Sequence, residues 1–377
     1  MTWELLILIL TICFFFYYCF FVLSTRKGLR TLVKPQAISE RPFVSVLISA
    51  RNEQETLSAC LESVLCQDYP VDTMEVILVD DGSTDNTSSI AKKFASLDTR
   101  LRLLILPNAY DNPKSRKPAA LAAGIQMAKG EIILTTDADC VVGREWISSM
   151  IHSFDSATAF VAGPVQELPS SHLISRLSQI EFLGLIGTSA GLIANGKPII
   201  CNGANVAYRR TSFFEVNGYG TSPGFCDDEV LMHRIKSRGL GSIRYSIDSR
   251  SMVTTNAPSS LIAFWKQRIR WASKRGHYED NGILLRLTGL YMFFLFLMIL
   301  VVTSFVSPYL FPFLGILFVS KILVDYATLE TAAQTFGQQV HIRFFVIAEL
   351  LHVPYIVFAA LAGQFSSLEW KGQRIRG

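Results

Sequence analysis

Two carboxylates one residue apart, Asp137 and Asp139, close the stretch LTTDADC at residues 134–140. The residues before them are apolar and β-branched, which predicts a buried strand with the acidic pair at its carboxyl end. A second strand-like run, EVILVD at residues 75–80, also ends in acids, Asp80 and Asp81. A lone D-x-D is common in solvated turns. Two acidic strand ends in one chain point instead to a ligand at the rim of a sheet. Carboxylate oxygens suit a hard cation, Mg²⁺ or Mn²⁺, which binds through one or two carboxylates together with substrate phosphates. The chemistry expected of Asp137 and Asp139 is therefore a shared cation that holds a diphosphate.

Further along, GFCDDEVLMHRI at residues 224–235 puts Asp227, Asp228 and Glu229 at the start of a predicted helix. The segment QRIRW at residues 267–271 places Gln267, Arg270 and Trp271 on one helical face, at i, i+3 and i+4. An arginine there can grip a diphosphate through two parallel hydrogen bonds. The surrounding stretch SLIAFWKQRIRWASKR mixes large apolar residues with cations, as does a helix lying in a membrane interface.

The elements that must position these residues alternate in type. FVSVLISA at 43–50 reads as a strand, followed by a helix from Glu53 to Cys66. EVILVD is the next strand, and DGSTDNT a turn in which Thr84 or Asp85 caps a helix running to Ser96. RLLIL at 102–106 is a third strand, residues 117–129 a helix, and EIILTTD at 131–137 a fourth strand. Such alternation predicts an α/β domain with a mostly parallel sheet covered on both faces. In those sheets ligands bind at the carboxyl ends of the strands, where both acidic pairs fall.

The chain has 377 residues, half of them hydrophobic, and the apolar excess gathers at the two ends. Residues 3–23 are almost wholly apolar and long enough to cross a bilayer. No basic segment precedes the run and no small-residue cleavage site follows it, so a retained anchor is expected over 1–25, not a signal peptide. Arg26, Lys27, Arg30 and Lys34 follow at once, which sets that side in the cytoplasm. The expected layout continues with a catalytic domain over 42–255, an amphipathic interfacial helix over 256–280, membrane helices over 283–364 and a basic tail over 365–377. Residues 287–325 split into two crossings at Ser307–Pro308 and Pro312, and 343–363 offers another. Four crossings put the tail outside, whereas its basic sequence WKGQRIRG argues for the inside. One apolar segment is then re-entrant or interfacial.

The net charge of +4 is modest, and the basic residues flank the membrane segments, which suits anionic headgroups and gives no reason for nucleic acid. Seven cysteines without CxxC spacing give neither a disulfide framework nor a zinc site.

In order, VSVLISARNEQETL, VILVDDGSTDNT, SRKPAALAAGI, GEIILTTDADC, CNGANVAYRR, CDDEVL and QRIRW resemble the membrane-bound family 2 glycosyltransferases. The resemblance covers about residues 42–275 and implies the GT-A fold: a Rossmann-like α/β cytosolic domain between N- and C-terminal transmembrane helices. It implies that Arg51, Asn52, Glu53, Asp80 and Asp81 hold the nucleotide, with Asp80 slightly ahead of Asp81. It implies donor contacts from Lys117, Asp137, Gln267, Arg270 and Trp271, metal ligation by Asp137 and Asp139, and Mn²⁺ or Mg²⁺ as the cofactor. Cys226, Asp227 and Asp228 stand where the family has Thr, Glu and Asp, so the chain departs at two of three positions. The catalytic base falls on Asp228, and Asn205, Arg209 and Asp227 take acceptor-side roles.

The activity expected is inverting transfer from a nucleotide-sugar, a UDP-sugar by preference, to a lipid or lipid-linked acceptor at the cytoplasmic membrane face. A processive polysaccharide synthase is the alternative, and the small number of crossings favours the lipid. A non-catalytic scaffold on a degenerate domain would fail to bind any nucleotide-sugar. A nucleotidyltransferase would release pyrophosphate and gives no reason for QRIRW. The catalytic membrane is expected to be the plasma, or inner, membrane.

Overall fold

The computed structural model describes residues 2–34, 41–107, 116–168, 170–220, 227–273, 280–365, 367–370 and 373–376, with the side chains of 116, 227 and 365 onward left aside. A long helix α1 (Trp3–Thr31) leads into an α/β domain. Its first half alternates β1 (Val44–Ala50), α2 (Leu57–Leu65), β2 (Met74–Asp80), α3 (Thr87–Leu97), β3 (Leu101–Ile105), α4 (Arg116–Met127) and β4 (Ile132–Asp137). Its second half has β5 (Cys140–Val142), α5 (Trp146–Ile151), β6 (Thr158–Ala162), β7 (Val165–Glu167), α6 (Leu173–Ala194), β8 (Val206–Arg209), α7 (Arg210–Glu215), α8 (Asp227–Ser237), β9 (Ser242–Tyr245) and β10 (Val253–Thr255). Then come α9 (Leu261–Ala272), α10 (Asn281–Val306), α11 (Phe311–Phe336), α12 (Ile342–Phe365) and a hairpin, β11 (Ser367–Trp370) and β12 (Gln373–Arg376).

Seven strands form the main sheet in the order β3-β2-β1-β4-β8-β6-β9. The pairs among β3, β2, β1 and β4 are parallel, as is β6 with β9, while β8 runs antiparallel to both neighbours. β1 and β2 are buried along nearly their whole length, as continuous apolar runs require when helices cover both faces. The register aligns Ala50 with Asp80 and Ser49 with Asp137, so three neighbouring strands end at one level.

The first helix starts at Leu57, not at Glu53. Asn52 takes a left-handed φ of 53°, and residues 52–54 bond to the facing loop, so the backbone there is unavailable to a helix. At α3, Asp85 supports the first turn by accepting from the Thr87 amide at 2.9 Å, and Thr84 is bonded to Asn52 instead.

Among the described residues, five helices are long and apolar enough to cross a membrane by length and composition: α1, α6, α10, the helical stretch through α11, and α12. The expectation of four crossings omitted α6. Its two flanking strands, β7 and β8, both belong to the α/β domain. A spanning helix separates its ends by about 30 Å on opposite membrane faces. α6 therefore stays with the domain and packs against α1. Gly191 meets the Thr25 backbone so closely that an added Cβ would lie 2.3 Å from its oxygen. α1, α10, α11 and part of α12 share a second apolar core through Phe15, Phe293, Leu297, Leu317 and Val353.

Candidate active site

The site forms above the aligned ends of β2, β1 and β4. Beyond β1, Arg51 Nη1 donates to the Asp81 carbonyl at 2.6 Å, and the Glu53 amide donates to Thr87 Oγ1 at 2.8 Å. Asn52 Oδ1 accepts from the Thr84 amide at 2.8 Å. Two loops, 51–54 and 81–87, are thus laced together as one wall. Asp80 is fully buried and builds this wall from below. One of its oxygens accepts from the Ser83 amide at 3.0 Å and the other from the Ser88 hydroxyl. Asp80 is thus engaged in the turn, which Gly82 completes at a φ of 65°, and Asp81 follows it at 4% exposure.

At the end of β4, Lys117 from α4 reaches Asp137 with an Nζ to Oδ1 distance of 2.8 Å. Asp139 is exposed two residues on, and the ligand atoms of Asp137, Asp139 and Cys140 lie within 4.8 Å of one another. Burial, with the two nearby carboxylates, pushes the Cys140 thiol well above its usual range. Cys60, whose Sγ lies 3.5 Å from the Asp137 carbonyl, is pushed up for the same reasons. The carboxylate oxygens that Asp137 and Asp139 offer here fit a hard cation such as Mg²⁺ or Mn²⁺.

α9 delivers Arg270 to this point. Burial lowers its pKa, and the Asp137 and Asp139 carboxylates oppose that shift. They are its electrostatic neighbours across more than half of the domain's sequence. Gln267 Oε1 accepts from Arg268, and Trp271 packs on Phe182 at 6.1 Å and on the Arg268 guanidinium at 4.4 Å. Those two side chains thus seat α9, and the ring of Trp271 is taken up by α6.

Asp228 opens α8 almost buried, at 8 % exposure. Cys201 Sγ lies 3.8 Å from its Oδ2. A Cβ added to Gly203 would sit 3.2 Å from its carboxyl group, so only glycine admits it at ordinary contact. The Gly203 carbonyl in turn accepts from Thr135 Oγ1 of β4 at 2.8 Å. The turn at 201–205 thereby bridges Asp228 to the strand that ends in Asp137. Cys226 lies outside the described residues, as does the side chain of Asp227.

Two expected acceptor residues are placed elsewhere. Asn205 is fully buried, accepting from Trp146 Nε1 at 2.9 Å and donating to the carbonyls of Pro164 and Ser251 at 2.8 Å. Arg209 pairs with Ile132, at the start of β4, because β8 runs antiparallel to it. It bonds Glu131 and the Thr158 and Asp155 carbonyls at the far edge of the sheet. Sequence reasoning missed Arg268 and Glu181, which join α9 to α6. Arg268 is 2 % exposed and bonds Glu181 at 2.7 Å. The available signal was Glu181 itself, a carboxylate within an apolar 22-residue helix.

Comparison with known proteins agrees with this arrangement. A family model for glycosyl transferase family 2 matches residues 45–216. The chain is 27% identical over 269 residues to poly-β-1,6-N-acetyl-D-glucosamine synthase of Staphylococcus aureus, covering 69% of this chain and 60% of that one. It thus spans less than two thirds of that relative's length. It is 33% identical over 125 residues to the glycosyltransferase AglE of Haloferax volcanii, covering 33% of this chain and 40% of the relative. In fold it resembles a mannosyltransferase from Pyrobaculum calidifontis, solved with GDP-Man and Mn²⁺, with a TM-score of 0.63 and 20% identity over 96% of this chain and 98% of that one. The strand-end acids, the α/β sheet and the family match together identify residues 45–216 as a family 2 glycosyltransferase domain, in a chain whose fold resembles a solved GT-A transferase.

Proposed function

We propose that the enzyme transfers a sugar, with inversion, from a nucleotide-sugar to a lipid or lipid-linked acceptor at the cytoplasmic face of its membrane. The observation that carries this reading is the convergence of Asp137, Asp139, Lys117 and Arg270 at one strand end, with Asp228 bridged to the same strand through Gly203. Asp81, Arg51 and Glu53 form the nucleotide wall, where carboxylates accept from base N–H and ribose hydroxyl donors. A UDP-sugar is the preferred donor.

Asp137 and Asp139 would hold Mn²⁺ or Mg²⁺, which when bound supplies Lewis-acid neutralisation of the diphosphate. Lys117 and Arg270 bring fixed positive charge to the same group, so the leaving group is stabilised by cations already in place. Asp228 accepts the proton of the acceptor hydroxyl as its oxygen attacks the anomeric carbon. The bond from that carbon to the diphosphate breaks, the nucleoside diphosphate leaves, and one displacement inverts the configuration. α9 presents Leu261 and Ile262 at 62% and 70% exposure, an apolar edge suited to a lipid acceptor.

The test is nucleoside diphosphate release by purified protein with Mn²⁺, a panel of UDP-, GDP- and dTDP-sugars and a membrane lipid extract. Asp228→Asn is expected to lower release by at least about a hundredfold while donor binding persists. Full activity in that variant removes the base assignment. The similarity to a polysaccharide synthase favours a second reading, processive polymerisation. Lipid-independent release with a lengthening glycan would select it.

A further inference from the structure

A cavity of about 490 Å³ opens between α1, α6, α9, α11 and α12, a size within the usual range for a small-molecule site. Its walls are mostly apolar, and Leu261, Leu351 and Phe358 among its lining are each more than half exposed. In a chain with this set of apolar helices such a mouth suits a hydrocarbon chain. The polar groups in it are unusual for that setting. Asp325 and Glu349 line it, with His352 beside them and Glu181 and Tyr355 on the α6 side. Ionisable groups at membrane depth are costly and mark functional sites by default.

Charge decides what the cavity takes. Among its described lining residues are three carboxylates, of which Glu181 is paired with Arg268, and no lysine or arginine. Lys321, fully buried behind it, is engaged by Asp325 at 2.7 Å, by Glu349 and by His352 at 3.3 Å. Tyr18 also donates to Asp325, at 2.6 Å. With one lysine facing two carboxyl groups, the cluster has no net positive charge to offer an anion. Each carboxylate offers about four lone-pair positions, so acceptor capacity remains after these bonds. An anionic phosphate headgroup would meet like charge, whereas a hydroxyl or amide donor would be matched. Side-chain contacts also link the cavity wall to the site. Glu181, in its wall, accepts from Tyr355 and pairs with Arg268, which stacks on Trp271 next to Arg270.

We infer that this cavity binds the hydrocarbon chain of an uncharged, hydroxyl-bearing lipid, and that this lipid class is the acceptor. The acceptor half of the inference rests on the proposed transfer reaction. The binding half does not.

The experiment uses the full chain in nanodiscs with a photoactivatable diacylglycerol. Labelling is expected on α6 and α12 peptides, and diacylglycerol should compete at a concentration at least about tenfold lower than phosphatidic acid with the same chains. Gly184 lines the cavity with its nearest outside atom 3.9 Å from an added Cβ, so Gly184→Leu fills space without a backbone clash. That variant should lose most of the labelling and keep nucleotide-sugar binding. Absent or misplaced labelling, equal competition by phosphatidic acid, or undiminished labelling of folded Gly184→Leu overturns the proposal. The competition is read on the unaltered protein, so it stands even if the variant does not fold. Nucleoside diphosphate release with diacylglycerol is measured separately. Lipid-dependent transfer with a failed labelling pattern removes the cavity and leaves the transferase reading. Labelling as expected, without release, removes the acceptor role alone.

Discussion

Gly203 sets where the Asp228 carboxylate sits. A methyl group there would press on that carboxyl at 3.2 Å, closer than ordinary contact, while the Thr135 bond to the Gly203 carbonyl restrains retreat. Gly203→Ala is expected to lower kcat by about tenfold to a hundredfold with little change in the donor KM, since misplacing a reacting group by under an ångström carries that scale of loss. Steady-state kinetics distinguish this from a donor-site defect, which would move KM instead. Glu167 gives a second residue-scale prediction. It is 6 % exposed, one oxygen accepts from Ser178 at 3.0 Å, and the other has no hydrogen-bond partner. Burial pushes its pKa from 4.5 to about 7, with Arg268 opposing the shift and Glu181 adding to it. The folded protein thus holds this proton more tightly than the unfolded chain. The contribution to stability is complete below about pH 4.5 and is lost as pH rises through about 7. Glu167→Gln should therefore be the more stable protein at pH 8, by an amount on the order of 1–3 kcal/mol, and nearly unchanged at pH 4.5. Thermal unfolding in detergent at the two pH values tests it, and parallel pH profiles for both proteins would refute the assignment.

At the scale of elements, α9 is held by one buried arginine. Arg268 bonds Glu181 at 2.7 Å and Ser178 at 3.0 Å, and lies 4.4 Å from the ring centres of both Phe264 and Trp271. Removing one partner of such a pair leaves an uncompensated buried charge, which costs about 3–5 kcal/mol. Arg268→Met and Glu181→Gln should each destabilise by that order. The double variant should lose clearly less than the sum, because the second change removes the charge the first one stranded. Additive losses in thermal or denaturant unfolding would show that the two side chains act separately. Because α9 carries Arg270, each single variant should also weaken donor binding. This coupling was invisible in the sequence, although QRIRW itself was legible. Spacing put Gln267, Arg270 and Trp271 on one face, but it carried no information about Glu181, far upstream on α6. The parallel strands were legible because β-branched runs between turn residues admit few other readings, and the ends of β2 and β4 fell where expected. Asn205 and Arg209 were misread for a related reason. A motif fixes the order of residues along the chain, whereas the antiparallel direction of β8 decides which edge of the sheet they reach.

For the whole molecule the open question is how many helices cross. α12 has the length and hydropathy of a span, yet its second half runs along the catalytic body. At its start Phe345 packs on Tyr326 of α11, with ring centres 5.3 Å apart. Tyr355 packs on Phe264 and Trp265 of α9, and an added Cβ at Gly363 would lie 2.9 Å from the Ala272 side chain. From Tyr355 to Gly363 it therefore advances beside α9 over about 12 Å, in the same direction. A helix held beside α9 over its second half is not expected to reach the opposite membrane face about 30 Å away. With α6 set aside by its flanking strands, α1, α10 and α11 are the expected crossings. An odd number puts the tail on the side of the catalytic domain, opposite the N-terminus, and this removes the conflict between four crossings and a basic C-terminal sequence. The prediction is that an epitope tag after Gly377 and the catalytic domain are digested by protease from the same side of sealed vesicles, while a tag before Met1 is protected. Digestion of both tags from one side would require α12 to cross. That outcome would refute the three-crossing arrangement.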